Sequence, residues 1–146
     1  VTQAVRTTPV VFADGSMTAV LGERWSAKAR PTSNTLEAEG VAAYRADDAA
    51  WQDGLALVPA TVVPHLTDDF RWGRLYAGVA AAPADLAIGV ASGSAVVLSP
   101  AGASVSGASV VVADGSGASS WVSANGAFGA SGVVLDVFGS GDQLAR

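Results

Sequence analysis

The chain has 146 residues and 14.4 kDa, the size of one ordinary domain, and its 8 basic against 13 acidic residues leave a net charge of −5. An acidic balance supplies no cationic field, so neither nucleic acid nor an anionic membrane surface is expected as a partner. The absence of Cys excludes disulfides, thiolate nucleophiles and Cys-held zinc or iron–sulfur clusters, and no metal or other cofactor is expected.

Taken in chain order, Val1, Thr2, Gln3, Ala4, Val5, Arg6, Thr7 and Thr8 read as an extended N-terminal arm. The segment is polar and β-branched, is stopped by Pro9, and has no core of its own to join, so it can order by adding a strand to a neighbour. It lacks the basic start and long apolar stretch of a signal peptide, and secretion by that route is not expected. Residues 9–146 then read as a single β-rich domain with a more charged insert at about 37–69. Within it, Val10-Val11-Phe12-Ala13-Asp14-Gly15-Ser16 and Val110-Val111-Val112-Ala113-Asp114-Gly115-Ser116 match at six of seven positions. Asp-Gly is a strong short-range turn signal, which predicts two hairpins, 9–13 with 17–21 and 109–113 with 119–123.

The middle of the chain is less regular. Thr35 to Tyr44 partly alternates and predicts a strand, and Ala46 to Asp53 predicts a helical turn or two, with acidic residues at its start and Gly54 as its stop. Leu55-Ala56-Leu57-Val58 and Thr61-Val62-Val63 read as strands. Pro59 and Pro64 bracket that region and place it at an edge or a bend. Arg71 to Val79 is a further strand candidate, followed after Pro83 by Leu86-Ala87-Ile88-Gly89-Val90.

Composition changes at about this point. Residues 1–85 hold 17 of the 21 charged residues, whereas Gly, Ala, Ser and Val supply 46 of the last 61. Val96-Val97-Leu98, Val110-Val111-Val112 and Val133-Val134-Leu135-Asp136-Val137 each follow a Ser-Gly pair, and a flexible linker has no such recurring clusters. Short β-branched runs divided by Gly and Ser predict an all-β fold, a small β-sandwich or barrel-like domain of hairpins with at most one or two short helices. The uncharged stretch from Leu86 to Ala113 is broken by Gly, Ser and Pro, so no membrane-spanning helix is expected there.

Chemistry-bearing residues are sparse. His65 is the only histidine, and with Asp68 or Asp69 it would form the one His–carboxylate pair available to a small hydrolase; the competing reading is a solvated turn after Pro64. Asp47, Asp48 and Asp53 lack the alternating oxygen ligands of a calcium loop, and no Gly-x-Ser-x-Gly elbow is present. Arg24-Trp25 and Arg71-Trp72 place guanidinium groups beside indoles, a pairing enriched at interfaces, while burial of the same Trp residues in the core is the alternative.

At the C-terminal hairpins a family pattern emerges. A Val-rich strand from Ala108 to Ala113, an Asp-Gly-Ser turn, Trp121-Val122, a small-residue loop, then Gly129 to Val137, a Gly-Ser-Gly-Asp turn and a terminal strand follow in order. This resembles the capsid decoration or cement proteins of tailed bacteriophages, of the lambdoid head type, over roughly residues 86–146. The resemblance implies a structural virion protein without catalytic residues, made in the host cytoplasm and seated on the capsid exterior. It implies the major capsid protein lattice as partner, with a possible homotrimer at three-fold axes. The arm Val1 to Thr8 is then the expected capsid contact, with Trp25, Arg71 and Trp72 as further candidates. The alternatives are another virion component, such as a tail or head-fibre domain, and the hydrolase built on His65.

Overall fold

The computed structural model describes residues 10–28, 49–82, 84 and 86–144, together with Gln3. The regular structure of the described residues is mostly β, in several small sheets, with a short α-helix over Trp72–Ala81 and a 3-10 helix over Gly15–Leu21. The expected fold class is therefore met.

The central element is a four-stranded sheet in the order β10-β7-β4-β3, formed by β3 (Thr61–Pro64), β4 (Leu86–Val90), β7 (Ser109–Asp114) and β10 (Val134–Gly139). β3 and β4 run parallel, joined through α1 (Trp72–Ala81), while β4–β7 and β7–β10 are antiparallel. A parallel pair requires a crossover connection, and α1 supplies it. Three two-stranded sheets are also present among the described residues: β1 (Arg24–Ser26) with β2 (Trp51–Asp53), β5 (Ala95–Ser99) with β6 (Gly102–Ser106), and β8 (Ser119–Val122) with β9 (Phe128–Ser131).

The core lies between α1 and the sheet. Leu75 and Val79 on the helix meet Val63, Leu66, Ala87, Val111 and Ala113, and Trp72 packs against the cluster from the first helical turn. Gly78 lets the helix approach β3 closely, because a Cβ there would stand 2.9 Å from Thr61 Cγ2. Thr61 Oγ1 in turn donates to the Gly78 carbonyl at 3.3 Å. The opposite face of the sheet carries a second cluster of Val58, Ala60 and Val62, flanked by Leu21, Leu86, Ile88 and Val90.

Several expected elements change character. Arg71 to Val79 is helical from Trp72, not a strand. Trp72, Leu75 and Val79 recur at helical spacing and put one apolar stripe on the sheet, and the following alanines favour helix. The hairpin of 9–13 with 17–21 does not form. Gly15–Leu21 is a 3-10 helix in which Asp14 Oδ1 accepts from the Gly15 amide at 2.7 Å, so the Asp caps a helix where a turn was expected. Leu55–Val58 is not a strand; the amides of Leu55, Leu57 and Val58 donate instead to the carbonyls of Val20 and Leu21. Of the expected helical turns over 46–53, residues 51–53 form β2, and 46–48 lie outside the described residues.

The second Asp-Gly motif also behaves differently. Residues 109–113 are a strand, but β7 pairs with β4 and β10, while 119–122 pairs with β9. The reason lies in burial: Val110, Val111 and Ala113 are all buried, and a strand apolar on both faces belongs in the middle of a sheet. The terminal strand reduces to a single bridge between Gln143 and Ser104. By contrast, Thr61–Pro64 does lie at a sheet edge, flanked by its two prolines as expected. The strand expected over 35–44 lies outside the described residues.

Candidate functional site

The sheet register explains where apolar surface is left uncovered. Directly paired residues share a face, so one row across the sheet runs Val63, Gly89, Val111, Val137 and the next runs Thr61, Ala87, Ala113, Leu135. The first three members of each row are buried beneath α1, whereas Val137 is 69% and Leu135 38% exposed. A helix about 10 Å wide covers two to three strands at about 4.8 Å spacing, and the fourth strand falls outside its shadow. β10 thus offers both an open edge and an apolar strip.

Two further apolar surfaces are exposed. Val10 and Phe12, 79% and 88% exposed, sit just beyond the expected arm. They border an open groove of about 510 Å³ whose other walls include Val62, Ile88, Val90 and Val96 to Leu98. The second surface is the β8–β9 ribbon, with Trp121 and Val122 both exposed. Large apolar side chains left in water on these surfaces would gain by being covered.

Of the residues expected to touch a partner, Gln3 is exposed and helical where an extended arm is expected, while Val1, Thr2, Ala4, Val5, Arg6, Thr7 and Thr8 lie outside the described residues. Trp25 is half-buried in β1 beside the exposed Arg24, and Trp72 belongs to the core. Arg71 is buried and its Nη2 pairs with Asp69 Oδ2 at 2.9 Å, so its guanidinium is directed inward. Reasoning from sequence placed these two Arg-Trp pairs together as equals; only the helix start at Trp72 separates them. What sequence reasoning missed were Leu135 and Val137, whose exposure follows from the width of α1 and has no signature in their own segment.

The same salt bridge decides the chemistry around His65. The Asp69 carboxylate turns to Arg71, and the contact between Asp69 and His65 is a backbone one, from the Asp69 amide to the His65 carbonyl at 3.1 Å. His65 Nδ1 instead meets Ser92 Oγ at 3.1 Å, just past the C-terminal ends of the parallel strands β3 and β4. Asp68 is exposed in the turn between. Among the described residues no three His, Asp or Glu side chains gather in a way that could hold a metal ion, and no helix is long and apolar enough to cross a membrane. In comparisons with known proteins, no family model and no curated protein matches the chain.

Proposed function

We propose that the protein is a structural virion component that binds the outside of an assembled phage capsid and strengthens it by bridging neighbouring capsid subunits. The observation that carries this reading is the near-complete exposure of Val10 and Phe12 at the point where the arm Val1 to Thr8 joins the domain. Large apolar side chains held in water beside the arm segment gain by being covered, and a partner that binds the arm covers them at the same time. The bare strip of Leu135 and Val137 on β10 offers a second contact of the same apolar kind. Charge is scarce on these strands, so burying them against a protein lattice desolvates little. Each copy needs only modest affinity, because many copies touching several subunits reinforce a shell collectively. The resemblance of residues 86–146 to head decoration proteins supplies the capsid as the lattice.

The test is co-sedimentation with purified virus-like shells. Deleting residues 1–8 is expected to leave the melting temperature unchanged and to abolish binding, and Phe12→Ser is expected to weaken binding roughly tenfold or more, the loss of a well-buried aromatic contact. Unchanged binding by the truncated protein would rule the arm out. Because the contacts are strand pairing and apolar burial, attachment should change by less than about threefold between 50 and 200 mM salt, where a phosphate-binding protein loses about a thousandfold or more.

A further inference from the structure

We infer that the β8–β9 ribbon is a self-association surface, through which one copy of the chain pairs with a second. Among the described residues the ribbon is the least supported β element: β8 is exposed along its whole length, and the one strand hydrogen-bonded to it there is β9. Two-stranded ribbons are marginally stable in water, and joining a second ribbon edge to edge gives a four-stranded sheet. Both of its outer edges carry backbone groups that such pairing would use.

The ribbon is nonetheless shaped rather than slack. Trp121 stands opposite Gly129, and a Cβ on that glycine would collide with the indole, so the ring lies across the ribbon where only glycine fits. The connecting loop is locked by the Ser123 amide to the Ala127 carbonyl at 2.9 Å, the Gly126 amide to the Ser123 carbonyl at 2.8 Å, and the Ala127 amide to Asn125 Oδ1 at 3.2 Å. At its base, Asp114 Oδ1 accepts from the Ser116 amide at 2.8 Å. A surface ordered before it binds loses less entropy on association. One face then presents Trp121 and the other Val122 with Phe128, so apolar area is available whichever side a partner approaches.

Charge selects the occupant. The chain carries −5 overall, yet no charged residue lies between Gly115 and Leu135. A basic partner drawn to the acidic body finds nothing on the ribbon to pair with, while two acidic copies that repel elsewhere can approach here without like charges meeting. The partner that fits is uncharged, apolar and strand-edged, and a second ribbon has each of those properties. An isologous two-fold contact closes on itself and stops at a dimer.

This inference does not rest on the capsid reading, because the purified protein alone tests it in the absence of shells. Sedimentation equilibrium between about 1 and 500 μM is expected to show a concentration-dependent dimer, with tryptophan emission shifting to the blue as Trp121 is covered. Trp121→Ser should weaken dimerisation roughly thirtyfold or more, as for loss of a central aromatic anchor, with far-UV circular dichroism unchanged. Val122→Lys, which brings two cations together across the contact, should weaken it comparably and serves if the first variant misfolds. Val97→Glu, equally exposed but on the β5–β6 hairpin, should leave dimerisation within about twofold, as substitutions outside a contact do. A monomer at every concentration overturns the inference. So does a dimer that withstands both ribbon substitutions or that is lost on Val97→Glu.

Discussion

Replacing Asp69 by Ala is expected to cost about 3–5 kcal/mol of stability, the effect of removing one partner from a buried ion pair. Asp69 and Arg71 are both buried, with the carboxylate and guanidinium 2.9 Å apart. Facing each other offsets part of their desolvation. Once the carboxylate is gone, the guanidinium stays in a low-dielectric site without its counter-charge, and that is where the loss arises. Arg71→Met removes the charge but keeps much of the side-chain volume, and Asp69 then loses its salt bridge to Arg71. The double variant Asp69→Ala with Arg71→Met should recover at least about 1–2 kcal/mol relative to the sum of the single losses, since neither charge then remains unpaired. Urea unfolding of all four proteins measures this cycle. Additive losses would mean that the two side chains do not act as a pair. The experiment also bears on function, because shell binding by the folded Arg71→Met protein should equal that of the parent if Arg71 acts inside the domain.

How much of this was legible beforehand depended on whether the signal was local. The strands at Thr61–Pro64, Leu86–Val90, Ala95–Ser99 and Val134–Gly139 show in the sequence because β-branched runs between Gly, Ser and Pro have few other solutions. The helix over Trp72–Ala81 is hidden by its composition: Trp, Tyr and Val favour strands, and its i, i+3, i+7 stripe competes with that propensity over only ten residues. Asp-Gly was read as a hairpin turn at both of its occurrences, although at Asp14-Gly15 the same side-chain oxygen caps a 3-10 helix and at Asp114-Gly115 it stabilises a turn between strands that do not pair. The turn expected at Asp114-Gly115 forms and the one at Asp14-Gly15 does not, and neither expected strand pairing forms, since pairing is set by which strands must be buried on both faces.

The candidate surface follows the same division. An arm running up to Pro9 is readable in the sequence, but the exposure of Val10 and Phe12 is not visible there, because Val10-Val11-Phe12 reads as the first strand of a hairpin. The bare strip on β10 is not visible either, because Leu135 and Val137 differ from Val111 and Ala113 only in lying one strand farther from α1. Nor was it legible that Arg71 and Arg24 would part company. One precedes a helix that packs on the core and is drawn inward to Asp69, and the other lies on an exposed strand.

The contact that fixes α1 and its crossover on the sheet should be Leu66 against Gly89, and their joint substitution is expected to be far from additive. Leu66 follows β3 and is completely buried, with its amide donating to the Val90 carbonyl at 3.1 Å. Its side chain fills the space over Gly89, where an added Cβ would come within 2.5 Å of Leu66 Cδ2 and 3.2 Å of Cδ1. Leu66→Ala should therefore cost about 3–5 kcal/mol, through lost burial and the cavity left behind. For a chain of this length that corresponds to a fall in melting temperature of roughly 6–20 °C. Gly89→Ala should cost about 1–3 kcal/mol for the opposite reason: the new methyl group overfills a site from which a fully enclosed Leu cannot withdraw. With Leu66 already shortened, that methyl group enters vacated space and restores packing, so the double variant should be no less stable than Leu66→Ala alone. The coupling energy would then be at least about 1 kcal/mol in the favourable direction, well outside what separate sites give. Strict additivity in thermal or urea unfolding would show that the two residues do not meet, and the seating of α1 would need another cause.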